Sequence, residues 1–211
     1  MLITLLPLVL GIMLAQTSPG PNMMAVAASS LGSGRTAGLL TVAGIATGAM
    51  LWSLLFAFGA GALLQAFPQL VTAMKLVGGS YLAYLAFRSV RAILTARHGN
   101  LRVTAARRTG LTAYVTGLAV VLTNPKAALM WVAIALYLAS SGISSAGFIA
   151  TGVFTACSAL AIYGSYAILF STGLALRAYG RFSRWIEGLF GLVFGALGVR
   201  LLAEGVAELR G

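Results

Sequence analysis

The chain has 211 residues, 60% of them hydrophobic and only 8% charged, with a mean hydropathy of +0.98 and a formal net charge of +11. A soluble domain coats its surface with about 25% charged residues, so this composition excludes a soluble globule and sets the outer face against lipid. The positive charge would suit nucleic acid in a soluble protein, but the arginines cluster between apolar runs and no aromatic residues interleave with them, which points to the membrane surface instead.

Apolar runs fall at about 2–31, 37–65, 70–94, 111–139, 146–170 and 185–207. Each reaches the roughly 20 residues that a spanning helix needs, so an all-α, polytopic membrane protein with six transmembrane helices is predicted. The first run lacks the basic start of a cleaved leader and resumes after its interruption, so it reads as a retained first span. That interruption is Thr17-Ser18-Pro19-Gly20-Pro21-Asn22. About 30 residues of straight helix would measure ~45 Å against a hydrocarbon core of ~30 Å, so a break at these helix-disfavouring residues is expected. Ser18-Pro19 reads as an N-cap followed by a proline at the first helical position.

The second run carries Ala37, Thr41, Gly44 and Gly48 at helical spacing, a small-residue face for close helix packing. Lys75 stands near the outer end of the third run and is a secondary candidate for substrate contact. A polar, basic connection from Thr95 to Arg108 follows, read as a solvated positive-inside loop, with binding to anionic lipid headgroups as the alternative. The fourth run is interrupted by Thr123-Asn124-Pro125-Lys126, where Asn124-Pro125 repeats the cap-then-proline form. A lysine near the bilayer centre costs about 2.5–3.5 kcal/mol even on the milder insertion scale, so Lys126 should face the bundle interior. In the fifth run the lone cysteine, Cys157, reads as a small packing residue. The sixth carries Gly191 and Gly195, a second small-residue face, and the glycine faces together allow a homodimer.

Direction follows from the basic residues. Arg35 lies in the first connection, six arginines from Arg88 to Arg108 in or beside the third, and Arg177, Arg181 and Arg184 in the fifth, while the second and fourth have none. The odd connections are therefore expected in the cytoplasm and both termini on the opposite side. Laying Pro19 over Pro125 places Thr17 on Thr123 and Met24 on Met130. Three spans per half would make the halves inverted: residues 1–95 and about 111–211 of a single transporter domain, joined by the basic loop 95–110. Broken helices at matching places in inverted halves are a pointer to a midplane transport site.

Freed half-helix N-termini offer N–H groups and a positive dipole end, which must be buried or line a cavity and suit a carboxylate. The candidate substrate-binding set is Thr17, Ser18, Pro19, Gly20, Pro21, Asn22, Thr123, Asn124, Pro125 and Lys126, with Lys75 second. The only acids are Glu187, Glu204 and Glu208, near the ends of the last run, so carboxylate catalysis is not expected and the chain does not read as an enzyme. There is no P-loop for ATP, and one cysteine and one histidine make neither a soft metal site nor a thiol relay, so no cofactor is expected.

Pro19-Gly20-Pro21-Asn22 with the later Leu31-Gly32-Ser33-Gly34-Arg35-Thr36-Ala37-Gly38-Leu39, then Lys75-Leu76-Val77-Gly78-Gly79-Ser80-Tyr81-Leu82, then Asn124-Pro125-Lys126-Ala127-Ala128-Leu129, resemble in order the motifs of the LysE/RhtB family of amino-acid exporters. The resemblance implies an inner-membrane exporter of amino acids or close derivatives, driven by the proton gradient. Ala49 and Met50 stand after Gly48 where many relatives carry an acid, and Ala135-Leu136-Tyr137-Leu138 stands where relatives often continue toward Leu-Pro-Gln-Phe. With no acid at mid-depth for a second positive charge, small neutral amino acids rank above basic ones. The expected mechanism has the two halves rocking about a fixed site. A passive channel, or an exporter of another small anion, a metal or a basic amino acid, is the alternative.

Overall fold

A computed structural model describes residues 2–60, 69–94, 105–108, 110–140, 145–172 and 174–210. Among them there is no strand. The helices are α1 (Leu2–Thr17), α2 (Pro21–Leu55, continued by a π-helical turn at Phe56–Ala60), α3 (Gln69–Leu94), α4 (Gly110–Thr123), α5 (Pro125–Ser140), α6 (Ser145–Phe170) and α7 (Leu174–Arg210). Most of the basic third connection lies outside the described residues.

Both predicted breaks are present. The first run stops at Thr17 and restarts at Pro21; the fourth stops at Thr123 and restarts at Pro125, with a bend of 57° between α4 and α5. The first connection is reduced to one residue, Gly34, whose φ of 80° and ψ of −177° lie outside the helical region. That φ strains any residue with a β-carbon. The chain folds back there, so the 21–33 limb of α2 packs on the 35–55 limb. Thr41 Oγ1 donates to Ser29 Oγ at 3.0 Å across that contact.

Among the described residues, Ser145–Phe170 is long and apolar enough to cross a membrane, with a mean hydropathy of 1.7; Pro21–Gly59, at 1.9, meets the same test of length and composition but is folded at Gly34 into two limbs, and Gly110–Thr123 with Pro125–Leu138 meets it as a bent pair. The third predicted run is helical as α3, which carries Lys75, Arg88 and Arg91. The fifth predicted connection, by contrast, is largely helix: α7 runs unbroken from Leu174, taking in the positions of Arg177, Arg181 and Arg184.

Packing joins the two ends of the sequence. The α3 helix lies along α7, and α2 lies along both α4 and α6. The small-residue faces make these contacts close. A β-carbon on Gly44 would overlap the Tyr114 carbonyl, one on Gly117 the Thr41 carbonyl, and one on Gly48 the Val121 side chain. A β-carbon on Gly191 would lie 2.8 Å from that of Ser89, so the second face also packs within the chain, α7 against α3. Cys157 lies on the exposed face of α6 rather than in the packing, because Thr155, Ala156 and Ala159 take the buried side of that turn.

At its described end the third connection is not free in solvent. Ala106 N–H donates to Ala28 O at 3.0 Å, Arg108 N–H to Ser33 Oγ at 2.9 Å, and Arg108 Nη1 to Ser29 Oγ at 3.3 Å. These bonds serve the carboxyl end of the 21–33 limb, where helical carbonyls run out of partners and a cation is favoured.

Candidate transport site

The two restarted helices begin side by side. Asn124 is the N-cap of α5: its Oδ1 accepts the Lys126 N–H at 3.0 Å, and its carbonyl accepts the first helical bond from Ala128 at 3.0 Å. Pro125 takes the first helical position, where its missing N–H costs nothing. This matches the expected form. The first break does not start at Ser18-Pro19. The N-cap is Gly20, extended at φ −177° and ψ 179°, with Pro21 first in the helix and no side chain capping it. The reason is local: a residue preceding proline is pushed out of the helical region, so Gly20 cannot be a helical residue ahead of Pro21. By cap position it is Pro21, not Pro19, that takes in α2 the place Pro125 takes in α5, with Asn22 standing where Lys126 does.

The buried side chains of the two breaks meet. Asn124 Nδ2 donates to Asn22 Oδ1 at 3.1 Å, with Asn124 4% and Asn22 9% exposed. Lys126 Nζ donates to the Ser18 carbonyl at 3.4 Å and would lie 3.5 Å from a β-carbon on Gly20. Carbonyls freed at the ends of α1 and α4 also have donors. Tyr166 Oη reaches Thr17 O at 3.3 Å, and Trp52 Nε1 reaches Val121 O at 3.3 Å. Within hydrocarbon such carbonyls must be paired by protein or water, and these bonds let the breaks persist at depth.

Two cavities share this junction. One, of about 30 Å³, lies among the ends of α1 and α2, the middle of α6 and the start of α5; Gln16, Asn22, Asn124, Lys126, Thr155 and Tyr163 supply its polar lining. It holds a water or two and no amino acid. The other, of about 270 Å³, lies on the α3 side, where Tyr81, Arg88 and Ser89 face Ser18, Asn124 and Lys126. That volume approaches the lower limit of small-molecule sites. Among the described residues no acidic side chain lines either cavity, and the larger one carries two cations. Two cations suit an anionic group, and Ser18, Gly20, Asn124 and Lys126 border both cavities.

Of the sequence candidates, Ser18, Gly20, Asn22, Asn124 and Lys126 line the small cavity; Pro19, Pro21 and Pro125 join Ser18, Gly20, Asn124 and Lys126 in the larger one. Thr17 and Thr123 line neither. Their hydroxyls turn back to Met13 O at 2.9 Å and Ala119 O at 2.7 Å, ending helices rather than facing a ligand. Lys75 is also elsewhere: its ammonium pairs with Glu208 and, at 3.5 Å, with Glu204, and so ties α3 to α7. Glu208, beyond the last span, has its carboxyl held below the ordinary carboxylate range by hydrogen bonds from Lys75 and Thr72. Sequence reasoning missed Gln16, Tyr163 and Arg88. The first two sit within apolar runs with nothing to mark them, and Arg88 was counted only as a loop charge. No group of three His, Cys, Asp or Glu among the described residues is placed to hold a metal ion.

The family model described as LysE type translocator matches residues 13–205. An uncharacterized membrane protein of Escherichia coli K12, YahN, is 32% identical over 196 residues, covering 90% of this chain and 85% of that protein. A threonine efflux protein of Salmonella typhi is 24% identical over 89% of this chain and 92% of its own length. A leucine efflux protein of Klebsiella pneumoniae is 34% identical over 115 residues, 54% of this chain and 53% of that protein. No solved structure matches the chain.

Proposed function

The chain belongs to the LysE type translocator family, and on that footing we propose that it is an inner-membrane secondary exporter of small neutral amino acids or their derivatives, coupled to protons, with its site at the junction of the two broken helices. The observation that carries this reading is the meeting of Lys126 with the starts of α2 and α5 where two cavities share their lining, a lining with no acid among the described residues. The substrate carboxylate binds Lys126 and the N–H groups opening α2, where a negative charge is favoured. Arg88 draws it into the larger chamber. Alternating access exposes the junction first on the Arg88 side, which the basic connections assign to the cytoplasm, and then on the other. The proposed architecture is a single domain of six spans in two inverted halves, with both termini outside the cytoplasm and lipid around it. Relatives named for threonine and leucine efflux support a neutral substrate.

The test uses the purified full chain in proteoliposomes loaded with labelled L-threonine or L-leucine, with and without an imposed pH gradient. Efflux that accelerates with the gradient supports proton antiport. Efflux indifferent to the gradient replaces it with a passive channel, and no movement of either amino acid overturns the substrate class.

A further inference from the structure

Gln16 stands in the last turn of α1, two residues before the break, and its side chain is 5% exposed. Its Nε2 donates to the Thr155 carbonyl of α6 at 2.9 Å. The amide is thereby oriented, since Thr155 O is an acceptor and only the nitrogen can face it. The other end, Oε1, is buried and has no hydrogen-bond partner among the described residues. It belongs to a residue lining the small cavity, whose lining Lys126 and Asn124 share. A buried amide oxygen without a donor is a cost to folding that a simple packing role would have removed, because leucine or methionine fills the same space.

Resting on the reading of the junction as an amino-acid site, we infer that Gln16 Oε1 is the acceptor for the substrate's α-ammonium and makes the transporter selective for amines. The chemistry divides between the two sides of the cavity. Lys126 and the opening N–H groups of α2 are donors and take the carboxylate. The ammonium needs acceptors; other oxygens lining the cavity, such as Asn22 Oδ1 and Asn124 Oδ1, already accept hydrogen bonds, whereas Gln16 Oε1 accepts none among the described residues, and the Ser18 carbonyl is shared with Lys126. When the carboxylate engages Lys126, the Ser18 carbonyl is released from it, so the ammonium gains a second acceptor in the same step. A neutral acceptor also explains how the site binds a zwitterion with no acid among the described lining residues: it pairs the ammonium by hydrogen bond without adding a buried negative charge that would have to be stabilised in the empty state. The cavity enlarges when the substrate enters, as its 30 Å³ holds water only.

The experiment measures competition against labelled L-threonine efflux in proteoliposomes of the full chain. The competitors are unlabelled L-threonine and its desamino analogue 3-hydroxybutanoate, which keeps the carboxylate and the hydroxyl. In the natural protein the desamino acid should compete roughly ten- to hundredfold less well, the range set by leaving a buried acceptor unpaired. Equal competition overturns the proposal without any mutation. In Gln16→Met, which keeps the volume and loses the acceptor, that discrimination should collapse to within about threefold while some transport persists. In Gln16→Glu, which keeps an acceptor and loses the donor to Thr155, selectivity for the amine should survive. If Gln16→Met keeps the discrimination of the natural protein, or if both variants lose it equally, the residue serves only to hold α1 to α6 and the inference falls. If the natural protein moves no threonine and no leucine, the exporter reading itself has failed, which is a different result.

Discussion

The two breaks share a plan and differ in chemistry. At the second, Asn124 caps its own helix and Lys126 follows the proline. At the first, Gly20 has no side chain to cap with, and Asn22 follows the proline, spending its oxygen on Asn124. One break satisfies itself and contributes the positive charge; the other leaves its opening donors to something outside the helix. A pair of similar sequence signals thus builds two unlike helix starts, one capped by its own side chain and followed by a charge, the other with no side-chain cap.

The largest effect should come from removing the charge. Lys126→Ala is expected to lower efflux on the order of a hundredfold, as for truncating one member of a buried charged pair, with the folded protein recovered normally; retained export would remove the site from this junction. Next is Asn124→Ala, which deletes both the cap and the bond to Asn22. Unfolding followed in detergent should show a loss of about 1–3 kcal/mol, and a smaller change than Asn22→Ala gives would reverse the roles of the two breaks.

Gly20→Ser sharpens the comparison by giving the first break the cap it lacks. Gly20 is extended and its β-carbon has room, 3.5 Å from Lys126 Nζ. Stability should rise by a few tenths of a kcal/mol, while efflux falls, because the new hydroxyl takes the donors reserved for the carboxylate. Stability and transport falling together would mean that the first break needs no open donors. The smallest effect on transport is expected from Lys75→Gln, outside the junction, with rates within about twofold of the natural protein. Since the Glu208 carboxyl is depressed by Lys75 and Thr72, its pairing is complete at neutral pH and is lost as pH falls through the carboxyl's lowered range. A thermal-denaturation series should show that acid-side slope in the natural protein and a flatter one in Lys75→Gln.

The breaks themselves were legible because proline and glycine act through the backbone, and no partner is needed to read them. Lys126 was legible because a charge in an apolar run must have a reason to be there. The register of the first break was not: three breakers in sequence allow two starts, and the choice fell to the constraint that Pro21 places on Gly20. Gln16 carries no charge and breaks nothing, so only the position of the Thr155 carbonyl, supplied by a distant helix, reveals that half of its amide is unmet. The helical path through Arg177 to Arg184 was misjudged because charge was taken to mean a loop, when arginine is itself a good helix former.

The seam between α2 and α4 has a mechanical meaning. Backbones at Gly44 and Gly117 touch the opposing chain with no side chain between, so neither helix can slide on the other without carbonyl meeting carbon. These helices come from opposite halves of the sequence, as do α3 and α7, which lie along each other. The closely packed pairs are therefore hybrids, each drawing on both halves of the sequence, and under the proposed alternating access Ser18–Gly20 and Asn124 are short non-helical segments available to bend between them.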